Sequence, residues 1–220
     1  MNELLGGLNG GSVPTLELIY MLTLLALLPS LVIMMTSFTR TIIILSFTRN
    51  ALGVQQTPPN MVLVGIALFL TLYTMSPVIS SVNEDVFQPY LAGEMTQEDA
   101  LKEMQVPIKR FMLRNTEIST LNKFVEMSGT EIKENTEEYP ITVVTPAFMT
   151  SELKRGFMAG FLIYLPFLLI DIVVATTLMS MGMVMLPPTM ISLPFKLLLF
   201  VTVDGWQLLF ENIIAGVNIP

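Results

Sequence analysis

Met179-Ser-Met-Gly-Met-Val-Met-Leu-Pro-Pro188 is a methionine-dense stretch joining two long apolar runs, each of which carries a single aspartate. Gly182 and the proline pair Pro187-Pro188 are helix breakers, so the runs read as two helices folded back on each other around this turn. Met179, Met181, Met183 and Met185 recur at every second position. They share one side in extended backbone and divide between opposite faces in an unbroken helix. With a break near Gly182, at least Met183 and Met185 project from a loop. Unbranched, polarizable thioethers repack against changing shapes, which suits a soft seal and equally suits filling gaps between apolar helices.

Working outward, four stretches approach or exceed the roughly 20 apolar residues that cross a bilayer as a helix. They are Leu18 to Thr36, Met61 to Ser80, Gly156 to Leu186 and Thr189 to Phe210. The composition agrees: 52% of the 220 residues are hydrophobic and 13% charged, against about 25% charged in an ordinary soluble domain. The chain has no cysteine and no histidine, which excludes disulfides, thiolate nucleophiles, imidazole bases and the usual zinc sets. No cofactor is expected. The first Lys or Arg is Arg40, so a basic signal-peptide start is lacking and the first segment is expected to be retained.

The first helical pattern continues past Arg40 to Gly53. One helix from Thr15 to Leu52 would be about 57 Å long, so either it bends near Pro29 or protein sheathes much of it. The turn Gly53-Val-Gln-Gln-Thr-Pro58-Pro59 has the same Gly, four residues, Pro-Pro spacing as Gly182 to Pro188. That repetition reads either as two related hairpins or as shared turn chemistry.

Between the second and third segments the chain turns acidic. From Asn83 to Glu138 twelve acidic residues face six basic ones, most of the formal net charge of -7, a sign that disfavours nucleic acid. Thr96 followed by Glu98 and Asp99 predicts a capped helix, and a second helix is expected from Pro107 to Phe124. The expected organisation is an all-α chain: an N-terminal hairpin over 1–82, a small acidic helical lobe over 83–155 and a C-terminal hairpin over 156–220. Arg40 and Arg49 place the first turn in the cytoplasm and the lobe outside, although Lys154 and Arg155 argue the other way. Within the lobe, Phe111 and Phe124 stand on otherwise charged helical ground as local core or subunit contact, and Glu152 is a candidate for pairing between neighbours.

Asp171, Lys196 and Asp204 interrupt the last two apolar segments, where an unpaired ion costs about 2.5 to 3.5 kcal/mol on insertion scales. Folding around residue 185 brings Asp171 within about one helical turn of Lys196, which predicts an ion pair across the hairpin. Such a pair serves as a proton-coupled switch or as a device that fixes register. An aspartyl-protease reading needs Asp171 and Asp204 side by side, whereas hairpin arithmetic offsets them. Ser192 and Lys196 have the spacing of a Ser-Lys dyad, which is also ordinary on a helix.

Met-Thr-Ser-Phe-Thr-Arg40, Arg49-Asn-Ala-Leu-Gly53, Pro58-Pro59-Asn60, Phe111-Met-Leu-Arg114, Thr150-Ser-Glu-Leu-Lys154, Leu165-Pro-Phe-Leu-Leu-Ile-Asp171 and Leu193-Pro-Phe-Lys-Leu-Leu-Leu-Phe-Val-Thr-Val-Asp-Gly-Trp206 closely resemble the FliP family of flagellar type III export-gate proteins. The resemblance runs from the first segment to Trp206. It implies no catalysis but a pore-forming subunit in the bacterial cytoplasmic membrane. In the family, five copies wind with FliQ and FliR into a closed ring or helical cone in the flagellar basal body, and this cone conducts unfolded flagellar proteins. It also implies that the methionine loop is a gasket, here Met181, Met183, Val184 and Met185. Val184 departs from the three consecutive methionines more usual in the family. In that setting the four apolar segments need not each span lipid. An equivalent virulence-injectisome gate and a proton-coupled small-molecule transporter of inverted hairpins are the alternatives.

Overall fold

The computed structural model describes residues 15–218 apart from positions 55, 134 and 184, and among these every regular element is helical. The chain divides into two units, split between Met34 and Met35. The described part of the first is helix α1, Thr15–Met34, with Pro29 inside it. Two of its hydroxyls are turned back onto its own backbone: Thr23 Oγ1 donates to the Ile19 carbonyl and Ser30 Oγ to that of Leu27, both at 2.7 Å. A hydroxyl satisfied in this way leaves the helix surface apolar.

The expected single helix to Leu52 therefore does not form, and the interruption is at residues 35–37 rather than at Pro29. At the break the Phe38 amide donates to Thr36 Oγ1 at 3.4 Å, a local side-chain bond that competes with the helical ladder, and the buried Ser37 and Thr74 hydroxyls meet at 2.7 Å. Periodicity gives no sign of such a break because neither glycine nor proline marks it.

The second unit begins with α2, Phe38–Ala51, and α3, Asn60–Val82. α3 runs into a π-helical turn, Asn83–Phe87, then α4, Gln88–Leu91, and α5, Gln97–Glu103. Thr96 caps α5 as expected, accepting from the Asp99 amide at 3.2 Å. The helix expected over Pro107 to Phe124 is two: α6, Gln105–Arg114, and α7, Ile118–Ser128. Buried Asn115 divides them, because its side-chain amide donates to the Phe111 and Asn218 carbonyls at 3.0 and 2.9 Å.

Helix α8, Ile141–Ser180, is 40 residues long, about 60 Å at 1.5 Å per residue. The domain boundary expected at 155/156 falls inside it, so the lobe and the C-terminal hairpin share one continuous helix. The lobe core likewise draws on several parts of the chain: Met75 and Val78 from α3, Phe111 and Met112 from α6, Leu121 and Val125 from α7, and Val144 and Phe148 from α8. Tight helix contact fixes α2 against α8. A Cβ on Gly156 would lie 3.2 Å from Ile43 Cβ, and one on Gly160 only 2.6 Å from Phe47 Cγ. This Gly-x-x-x-Gly pair is the small-residue spacing that lets helix backbones approach closely. Phe47 also meets Phe157 edge-on at 5.5 Å.

The last apolar segment is broken into α9, Pro188–Thr202, and α10, Gly205–Ala215, bent by 64°. Asp204 sits at the bend with φ 50°, a left-handed conformation that Asp tolerates better than most residues. Gly205 follows because a Cβ there would lie 2.4 Å from the Phe200 ring. Asp204 is exposed at a turn, which corrects the expectation of a buried charge inside a helix. By length and composition two helices among the described residues qualify as membrane spans, Asn60–Leu91 and Ile141–Ser180, and the bent pair qualifies as a third. Leu18–Leu31 is a shorter apolar stretch.

Candidate functional site: the methionine turn and its brace

α8 ends in a backbone lock. The Met183 amide reaches the Leu178 carbonyl at 3.0 Å and the Gly182 amide that of Met179 at 3.1 Å, with Gly182 at φ 75°. This is the Schellman pattern, which satisfies the last helical carbonyls and turns the chain sharply. Pro187 and Pro188 then open α9, where the missing amide of a proline costs nothing. The turn therefore has fixed ends and a short, methionine-bearing span between them. Met185 is 98% exposed, and Met179, Met181 and Met183 also face outward. Val184 lies outside the described residues.

Beneath the turn the two helices are tied. Lys196 Nζ donates to Asp171 Oδ2 at 2.6 Å, and Ser192 Oγ donates to Oδ1, also at 2.6 Å. This is the ion pair expected from hairpin arithmetic, with Ser192 added. Lys196 is buried while Asp171 keeps partial access to solvent, so the carboxylate satisfies a cation that could not remain in the interior alone. Asp171 lies ten residues before Met181, about 15 Å along α8. The tie sets the register of the hairpin close to its tip.

The same contacts settle the chemistry read from the sequence. Both Asp171 oxygens are committed to Ser192 and Lys196 rather than to Asp204. Ser192 donates to the carboxylate, not to the lysine, so the pair lacks the arrangement of a Ser-Lys nucleophile.

The other glycine-to-proline turn, after α2, has Gly53 at φ 77° and borders the same end of the unit. A cavity of about 540 Å³ between the two tips is lined by Asn50, Gly53, Val54, Met190, Leu193 and Lys196, among others. Phe167 and Phe200, 6.3 Å apart, pack with Ala51 and Leu52 to close the core there.

Of the lobe residues singled out in the sequence, Phe111 and Glu152 lie inside the chain and Phe124 is half-buried. Phe111 is 1% exposed and meets Phe148 edge-on at 5.9 Å; Phe124 packs against the same cluster. Glu152, also 1% exposed, forms a two-pronged pair with Arg40, whose Nε donates to Oε2 at 2.9 Å and whose NH2 donates to Oε1. Of the open choices, local core describes Phe111, and an intrachain pair describes Glu152. Contact with a second copy would need surface that these side chains do not present. Arg40 also donates to the Gly216 carbonyl, joining α2, α8 and the end of α10. Arg40, a topology signal by sequence, is a buried structural cation, and its place in an apolar helix is the sequence sign of that role.

The FliP family matches residues 21–213, nearly the whole described chain. This chain belongs to the FliP family. Among similar FliP proteins, the flagellar biosynthetic protein FliP of Bacillus subtilis is 46% identical over 202 residues, covering 92% of this chain and 91% of that one. The FliP of Pectobacterium carotovorum is 47% identical, covering 93% and 80%, and that of Aquifex aeolicus 44%, covering 94% and 88%. These relatives are named for flagellar biosynthesis.

Proposed function

We propose that this chain is the pore-forming subunit of the flagellar type III protein export gate, passing unfolded flagellar proteins across the bacterial cytoplasmic membrane. Membership in the FliP family and the long apolar helices support a membrane-associated protein of flagellar export that works with other components of the apparatus. In the finer reading, several copies, five on the family resemblance, assemble with FliQ and FliR and bring their methionine turns to one axis. The resulting ring of flexible apolar side chains closes a narrow conduit to water and ions, because an apolar constriction dewets without a solid plug. An extended polypeptide pushes those side chains aside.

The observation that carries the reading is the contrast within one hairpin. Met185 stands almost wholly exposed on a turn whose ends are locked by the Gly182 pattern and braced by the Asp171–Lys196 pair. Rigid supports under adaptable tips are what a deformable seal requires. A reading as filler between apolar helices leaves the exposure of Met185 without a purpose.

The test is membrane conductance to small ions in cells carrying Met183→Ala together with Met185→Ala. Assembly should persist and conductance should rise. An assembled gate with unchanged conductance, when the gate is held open, removes the seal.

A further inference from the structure

We propose that the lobe carries a docking groove for an amphipathic helix with a basic face, contributed by a different protein. The groove lies where the π-helical turn and α4 meet α5. It is a cavity of about 220 Å³ lined by Val86, Phe87, Tyr90, Ala100, Leu101 and Met104, with Val82 and Gln97 at its edge. Three of the side chains that line it are exposed and apolar: Phe87 is 52% exposed, Leu101 40% and Met104 38%. Exposed apolar groups gathered round one hollow mark an interaction site.

Lipid is a poor occupant. The helix that carries the groove runs continuously over Asn60–Leu91, 32 residues, about 48 Å, against a hydrocarbon layer of about 30 Å. With the apolar stretch from Met61 in the membrane, residues beyond about 80 stand in water. The segment that forms the hollow also carries six exposed carboxylates, Glu84 and Asp85 on the π-helical turn, Glu94 after α4, and Glu98, Asp99 and Glu103 on α5. Anionic headgroups would be repelled by them.

The same charges specify the partner. Lys102, the lone base over residues 83–104, is already bonded to Glu98 at 2.9 Å. A second copy of this chain is disfavoured too, because its lobe brings the same sign. Its own basic amphipathic helix, α6, is committed at home. Lys109 donates to the Tyr139 carbonyl and Arg110 to Glu137, at 3.3 and 3.2 Å, and Phe111 and Met112 lie in the core. Arg110 borders the adjoining cleft beside Asp85 and Glu103 but remains held by Glu137. A helix that fills the hollow with two or three apolar side chains and lays Lys or Arg along the rim satisfies both features, the helix-in-groove mode with electrostatic steering.

The experiment uses the full chain in phosphatidylcholine nanodiscs, with two fluorescent helical peptides as probes. Both have leucine at the a and d positions of the heptad; one has lysine elsewhere and the other glutamate. The lysine peptide should bind saturably with one peptide per chain, over and above empty discs, and weaken with salt. Leu101→Ser with Met104→Ser changes no charge and lies at exposed positions that line the hollow, and it should reduce affinity at least about tenfold through lost apolar contact. Glu98→Gln with Glu103→Gln should reduce affinity and flatten the salt dependence. Equal binding of the glutamate peptide, or parent-like binding by the Leu101 and Met104 double variant at unchanged helicity, overturns the groove. Self-association of the chain that is lost in that double variant would give the groove to a second copy and overturn the proposal equally.

Discussion

Arg40→Met removes one charge and keeps the bulk of the stem. Three groups feel the change: Glu152, 1% exposed, loses both of its hydrogen bonds, the Gly216 carbonyl loses its donor, and Asn115 Oδ1 loses its contact at 3.5 Å. The Asn218 amide still reaches Asn115 Oδ1 at 3.0 Å, so the dominant loss is a carboxylate stranded without a counter-charge. Breaking a buried pair from one side costs about 3–5 kcal/mol, roughly a fifth or more of a stability of about 5–15 kcal/mol. Replacing both partners should cost far less, because two apolar side chains of similar volume remove the desolvation penalty with the attraction. Arg40→Met with Glu152→Met is therefore expected close to the parent, with a coupling energy of several kcal/mol, beyond the range of independent sites. Equilibrium unfolding in mixed micelles measures it. The chain has one tryptophan, Trp206, edge-on to Phe200 at 5.2 Å, and its emission reports the α9–α10 bend while far-UV circular dichroism reports the helices. A single variant within about 1 kcal/mol of the parent, or a double variant as unstable as the single, refutes the argument.

Asp171→Asn leaves Lys196 charged and buried, and should destabilise by about 3 kcal/mol, with recovery on adding Lys196→Met; if stability returns but swimming motility does not, the pair does more than fix register. Gly160→Ala should destabilise by about 1–3 kcal/mol through overpacking and more than Gly156→Ala, since the new Cβ meets Phe47 at 2.6 Å rather than Ile43 at 3.2 Å. Gly65→Ala meets nothing within 4 Å and should raise the unfolding midpoint through helix propensity alone. The 2.7 Å bond from Lys154 holds the Glu117 carboxyl below its usual range. The resulting stabilisation is present above the ordinary carboxylate pKa and lost as pH falls through the depressed one. Lys154→Met should flatten that acid slope in unfolding midpoints measured against pH, and an unchanged slope would assign it to another group.

The hairpin tip was the most legible part of the chain because its chemistry is local. Gly182 and Pro187-Pro188 end one helix and start the next by backbone geometry alone, and the offset of Lys196 from the turn follows from helical rise. Three features were illegible for a common reason: tertiary partners decide them. At the break over residues 35–37, Ser37 meets Thr74 from 37 positions away. The bend at Asp204 places the Phe200 ring in the space beside Gly205, so an aspartate in an apolar run reads as an ion inside a helix. Arg40, which reads as a topology signal, and Glu152, which reads as a partner for a neighbour, meet each other across 112 positions. Gly156 and Gly160 could have been found from their spacing alone, and they mark where α2 lies against α8. The lobe boundary failed because composition changes near residue 156 while the helix does not.

The central claim is that methionine turns from several copies meet at one axis. The chain has no cysteine, so Met185→Cys introduces a single thiol at a position 98% exposed in the isolated chain. Oxidative cross-linking of this variant in native membranes, co-expressed with FliQ and FliR, tests the claim most directly. The account predicts copy-to-copy disulfides that form only in the assembled complex and that block export until reduced. An assembled complex in which the thiol at position 185 reacts freely with maleimide and yields no linked copies would contradict it.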